Sequence, residues 1–131
     1  MEALDAMIRG GVPGFIKPDR RRVRNAKTTV IDGIKFRSRS EAKRYAELKL
    51  MERAGEIRNI QLQPKWELGI CPSPKTGKPS RRHYTADFMY ETKAGETVIE
   101  EVKGFWTDTT ELRVCWFFCR YPELAKLWVC V

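Results

Sequence analysis

Two acids and a lysine carry the chemistry this sequence can offer. Asp87 lies in Tyr84 to Tyr90, a segment whose alternation predicts a β-strand. Glu101-Val102-Lys103 closes the next predicted strand, Thr97 to Lys103, and Ala94-Gly95 joins the two as a hairpin. Strand side chains alternate faces, so Glu101 and Lys103 share one face while Glu100 and Val102 share the other. The hairpin can bring Asp87 beside Glu101. Two carboxylates with a nearby backbone carbonyl are hard oxygen ligands suited to Mg²⁺ or Mn²⁺. A divalent ion there polarises a phosphate and acidifies a bound water. Lys103 on the same face either stabilises charge developing on phosphoryl oxygens or takes up the water's proton. The alternative is a solvated sheet face on which Glu101 and Lys103 simply pair.

The short string is not distinctive. Acid-x-Lys occurs four times, at Glu41, Glu47, Glu91 and Glu101. The first two fall in a predicted helix and the third at a hairpin tip. Only Glu101-x-Lys103 ends a strand that follows another strand bearing an acid. Position singles it out.

The elements that must hold these residues are legible in outline. Thr28 to Phe36 reads as a small hairpin turning at Asp32-Gly33, a type I′ pair. Ser38 and Glu41 form an S-x-x-E capping box that opens a helix. Its apolar side is Ala42, Tyr45, Ala46, Leu48, Leu50 and Ala54, and Gly55 ends it. Ile57 to Leu68 reads as one extended segment, with a bulge or edge position at Pro64. Cys71 to Ser80 reads as a loop, with His83 just before the next strand. Asp108 or Thr109 caps a second helix, on which Leu112, Cys115, Trp116 and Cys119 form the expected buried stripe. Leu127 to Val131 is a final strand. A single sheet with helices on its faces is the simplest α/β packing of this order.

Four blocks recur together in a family the chain resembles: Ser38-x-x-Glu41-Ala42-x-Arg44-Tyr45, Leu62-Gln63-Pro64, Thr85-Ala86-Asp87-Phe88 and Glu101-Val102-Lys103-Gly104. The family is one of small phage- and prophage-encoded proteins of uncharacterised function, assigned to the restriction-endonuclease-like, or PD-(D/E)XK, nuclease fold. The resemblance runs from about Arg22 to the C-terminus. It implies a core of helix, three antiparallel strands, helix and strand, preceded by the small hairpin and a basic arm. Asp87 would match the motif's Asp, Glu101 its second acid and Lys103 its lysine. Glu41 would match the acid contributed by the first helix, giving Asp87, Glu101 and Glu41 as metal ligands. Gln63 would sit near the site. Ala86 stands where the motif name has Pro. For Glu41 two roles stand side by side, helix cap and metal ligand.

Composition narrows the partners. The chain has 131 residues, with 25 Lys and Arg against 17 Asp and Glu, a net charge of +8. Such an excess on a small domain favours a polyanion, above all nucleic acid. Residues 1–27 read as a basic, flexible arm carrying Arg20, Arg21, Arg22, Arg24 and Lys27, and residues 28–131 as the nuclease-like domain. Arg81 and Arg82 are a second candidate phosphate contact, and Trp106 a candidate stacking platform. The single histidine, His83, excludes multi-histidine metal sites, and the four cysteines form no C-x-x-C pair. Cys115 and Cys119 are expected to pack in the core. No secretion signal or membrane span is visible, so a cytoplasmic protein is expected, in the host if phage-encoded. The resulting expectation is a Mg²⁺- or Mn²⁺-dependent endodeoxyribonuclease, which could act as a homodimer, with junction DNA as a substrate. Its alternative is a non-catalytic DNA-binding or accessory protein on the same scaffold.

Overall fold

A computed structural model describes residues 28–131. Strands β1 (Thr29–Ile31) and β2 (Ile34–Phe36) form the small hairpin. Asp32 and Gly33 both take positive φ, 52° and 76°, as a type I′ turn requires. Helix α1 (Arg39–Arg53) starts at Ser38, whose Oγ accepts the Glu41 N–H. It stops at Gly55 (φ 78°), where the Gly55 and Glu56 N–H groups donate to the Glu52 and Met51 carbonyls in a Schellman closure. Ala42, Tyr45 and Leu48 are its buried face. Ala46, Leu50 and Ala54, expected on that face, are exposed.

The long extended segment divides into β3 (Ile57–Leu62) and β4 (Lys65–Pro72). The next divides into β5 (Pro79–Thr85) and β6 (Phe88–Thr92). The cause is local: Gln63 takes φ 51°, outside the range of strand backbone, and Pro64 offers no donor for the ladder. The expected loop is correspondingly shorter, and His83 lies within β5 rather than before it. Strand β7 (Thr97–Glu101), helix α2 (Asp108–Arg120), the single turn α3 (Pro122–Ala125) and β8 (Trp128–Cys130) complete the chain. Lys103 falls two residues beyond the end of β7.

Four strands form the central sheet in the order β3-β6-β7-β8, antiparallel except for the parallel pair β7-β8. Strands β4 and β5 pair only with each other and form a separate arm. The register sets Phe88 opposite Glu100 and Met89 opposite Ile99, which assigns each face its layer. Phe88 and Tyr90 pack with Tyr45 and Leu48 under α1. Ile99 packs on the other face with Phe117 and Val114 of α2, and with Tyr84 and Leu68 of the arm. The result is three layers: α1, the sheet, then α2 with the arm.

Helix α2 presents a different face from the one expected. Its N-cap is Thr107, not Asp108 or Thr109. Val114, Phe117 and Phe118 are buried, whereas Leu112, Cys115 and Cys119 face solvent. Both stripes are apolar at helical spacing, and the aromatic one wins because it buries far more area. Complete burial of one Phe is worth about 2–3 kcal/mol. No helix among the described residues is long and apolar enough to cross a membrane.

Candidate active site

Asp87 sits in the break between β5 and β6, held by its own main chain. Its N–H donates to the Glu100 carbonyl at 3.1 Å, and its carbonyl accepts the Gln63 N–H at 2.9 Å. Its Oδ2 accepts the Val102 N–H at 2.7 Å. The carboxyl is pushed up from the ordinary 3.8 to about 7. Burial is the main cause, and the negative charges of Glu101 and Glu41 add to it. The Val102 N–H and the Lys103 ammonium oppose the rise without cancelling it.

Glu101 is buried on the α2 face, and each of its oxygens has a distinct partner. Oε2 accepts the Tyr84 hydroxyl at 2.6 Å, and Tyr84 in turn accepts the Trp128 indole N–H at 2.9 Å. Oε1 faces Lys103 Nζ at 3.1 Å. Burial and the adjacent Glu101 drive the Tyr84 phenol far above its usual range, so it is a permanent donor. One oxygen of Glu101 is thereby fixed inward and the other is left toward the cleft.

Asp87, Glu101, Lys103 and Glu41 line one cleft of about 570 Å³. The carboxylates of Asp87 and Glu101 therefore open to the same side. Glu41 both contacts its helix cap and faces the cleft. The Ser38 hydroxyl donates to its Oε1 at 3.3 Å, a capping contact, and its carboxylate raises the Asp87 pKa across the cleft. Gln63 also lines the cleft and contributes the main-chain bond to Asp87. Arg37, Lys65 and Arg113 stand at the rim, placing cations around a carboxylate floor.

The other expected contacts fall elsewhere. Arg81 and Arg82 are exposed on β5 and line a neighbouring groove, with Arg81 within 3.5 Å of Glu67. Trp106 packs against Trp128, ring centroids 6.1 Å apart, and is tied to the core. Arg20, Arg21, Arg22, Arg24 and Lys27 lie outside the described residues.

Sequence reasoning missed the buried pair behind the site. Glu100 is completely buried on the α1 face. Arg44 grips it with two bonds, Nε to Oε1 at 2.6 Å and Nη2 to Oε2 at 3.0 Å. The Tyr90 hydroxyl adds a third bond at 2.8 Å. This contact holds the Arg44 guanidinium well above its already high range and pushes Tyr90 up to about 12, where burial leads. The pair fastens α1, which carries Glu41, to β7, which carries Glu101. Alternation puts Glu100 opposite Glu101, on the face of Phe88 and Tyr90. An acid on so apolar a face demands a cation, and Arg44 sits one turn past Glu41.

The donor set suits a hard divalent cation that keeps several waters. Mg²⁺ is commonly held by one or two carboxylates, and Asp87 and Glu101 supply two, with Glu41 across the cleft. Repulsion among these carboxylates adds to the rise at Asp87, and a cation would relieve it. Among the described residues no group of three or more His, Cys, Asp or Glu is placed to hold a metal ion, so Asp87 and Glu101 would need waters or substrate oxygens to complete a coordination shell.

Fold and site together define a mixed α/β protein with a cation-rimmed carboxylate cleft. The chain belongs to the family described as "Protein of unknown function (DUF1064)", whose model matches residues 21–131. No curated protein and no solved structure matches it.

Proposed function

We propose that the chain is a Mg²⁺- or Mn²⁺-dependent endodeoxyribonuclease on a restriction-endonuclease-like, PD-(D/E)XK, core. Its setting would be phage recombination or replication, with branched or junction DNA as substrate. The convergence of Asp87, Glu101 and Lys103 in one cleft is the observation that carries the reading. Three side chains from two separate stretches of sequence line that cleft together with Arg37, Lys65 and Arg113, whose positive charges suit a phosphodiester.

Asp87 and Glu101 would hold the cation, and Glu41 its waters. When bound, the ion polarises the phosphate and lowers the pKa of a water. Tyr84 keeps Glu101 from rotating, so the oxygen paired with Lys103 is aimed before substrate arrives. Lys103, 3.1 Å from that oxygen, places positive charge where the phosphoryl oxygens become more negative during attack. The rim cations position the backbone without reading sequence.

The test uses supercoiled, single-stranded and four-way-junction DNA with Mg²⁺, Mn²⁺ or EDTA. Divalent-dependent cleavage is expected, absent in Glu101→Ala and Lys103→Ala while DNA binding persists. Intact binding with no cleavage of any substrate would instead identify a non-catalytic DNA-binding protein on a nuclease-like scaffold.

A further inference from the structure

The net charge of residues 28–131 is concentrated in one element. Residues 65–85, the β4–β5 arm, hold five Lys and Arg against one Glu. The remainder of residues 28–131 balances at thirteen basic and thirteen acidic. The arm therefore accounts for the whole positive excess of that stretch. Its base is anchored to α2: the rings of Trp66 and Tyr84 lie 5.0 and 4.6 Å from that of Phe117, and the Tyr121 hydroxyl donates to the Glu67 carbonyl at 2.6 Å. Its charges stay outside, with Lys65, Arg81 and Arg82 exposed.

A groove of about 430 Å³ runs between this arm and α2. It joins the cleft directly, because Lys65, His83, Thr85 and Arg113 line both. Its two walls differ in chemistry. The arm contributes Lys65, Arg81 and Arg82, and α2 contributes Arg113 beside the apolar surfaces of Leu112 and Trp116. Leu112 is 68% exposed, although a core position was expected for it. Trp116 packs against the core like Trp106 but, unlike it, also lines the groove, and a side chain at Gly69 would meet its ring at 3.3 Å, so a glycine of the arm lets the indole lie close. Cations along the arm and at Arg113, with aromatic and aliphatic surface on α2, fit a single nucleic-acid strand: phosphates track the charges and bases lie on the apolar surface. A volume of this size suits a nucleotide-sized ligand.

We infer that this groove holds a single-stranded segment of nucleic acid that leads into the cleft. The substrate class is then a strand with an unpaired stretch next to the scissile phosphate, such as a flap, fork or opened junction. The inference rests on the proposed nuclease reading for what happens at the cleft end. Trp116 takes the stacking role that the sequence offers to Trp106.

The test measures binding of the full chain in EDTA, where cleavage plays no part. Probes are a fluorescent single strand, a blunt duplex, and a duplex with a single-stranded tail. The single strand and tailed duplex are expected to bind roughly tenfold more tightly than the blunt duplex. Arg82→Glu should weaken both and make the log–log salt slope shallower by about 0.7 for each phosphate it ceases to neutralise. Trp116→Leu should weaken both by roughly tenfold with the salt slope unchanged. Equal affinity for blunt and tailed duplex, or native affinity for the tail in Arg82→Glu, overturns the inference. Arg82 is exposed, so that variant tests the groove without disturbing the fold. Cleavage of blunt duplex as readily as tailed duplex also overturns it while leaving the nuclease reading intact. Tail-selective binding without metal-dependent cleavage sinks the nuclease reading and sustains the groove.

Discussion

Replacing Arg44 with methionine isolates the ion pair that joins α1 to the sheet. Glu100 is 0% exposed and Arg44 supplies two of its three side-chain bonds. The variant leaves a buried carboxylate with only the Tyr90 hydroxyl. Removing one partner of a buried pair costs about 3–5 kcal/mol. A domain of this size holds about 5–15 kcal/mol in total, so the loss is a large fraction. With a urea slope of about 2 kcal/mol per molar, the unfolding midpoint falls by about 2 M. Most of that loss is the penalty of stranding Glu100, so neutralising it should restore stability. Arg44→Met with Glu100→Gln is expected to recover more than half, because the Gln carbonyl still accepts from Tyr90. Arg44→Lys should fall between, since one ammonium cannot reproduce the guanidinium's forked contact. Equilibrium urea denaturation of the native chain, Arg44→Met, Glu100→Gln and the double variant gives the double-mutant cycle. A loss below about 1 kcal/mol for Arg44→Met, or strictly additive effects, would refute the picture of a buried charge pair.

Other outcomes follow from the cleft. The native state binds the Asp87 proton more tightly than the unfolded chain does, because the folded value lies near 7. The stability this group contributes is full below about pH 4 and lost as pH rises through about 7. In EDTA, Asp87→Asn should therefore gain on the native chain across that window, by at most about 4 kcal/mol, in melting temperature followed against pH. A constant difference across the window would contradict the raised carboxyl. Mg²⁺ should raise the native melting temperature, with the gain lost in Asp87→Asn and Glu101→Gln; an equal gain in all three would place the ion elsewhere. Tyr84→Phe should cost about 1–3 kcal/mol by leaving Glu101 Oε2 and the Trp128 N–H without partners. It should also weaken Mg²⁺ binding by titration calorimetry, and unchanged affinity would show that Glu101 needs no such hold.

Local chemistry was the most legible part of the sequence. The Asp32-Gly33 turn, the Ser38 cap and the Gly55 stop follow from short-range sterics and hydrogen bonding, and each forms as expected. The meeting of Asp87 and Glu101 followed from strand alternation plus one hairpin. The stripe on α2 did not, because Leu112-Cys115-Cys119 and Val114-Phe117-Phe118 are equally periodic. Only packing against Trp66 and Tyr84 decides between them. Glu100 was visible as an acid on an apolar face, but its partner lies 56 residues away. Composition assigns the chain its charge without a location, and pairing of β4 with β5 is what gathers it into an arm.

The breaks in the two long strands are opposite one another. Gln63 and Pro64 interrupt one side, Ala86 and Asp87 the other, and two main-chain bonds cross there: Gln63 N–H to the Asp87 carbonyl and Ala86 N–H to the Pro64 carbonyl. The ribbon that runs out as β3 and β4 and back as β5 and β6 is thus continuous through its break, and Asp87 is built into that break. Under the proposed nuclease reading, a strand drawn along the charged end would pull on the same main chain that positions Asp87. Grip and cutting geometry would then share two main-chain bonds, and substrates that engage only one end would leave that link unused.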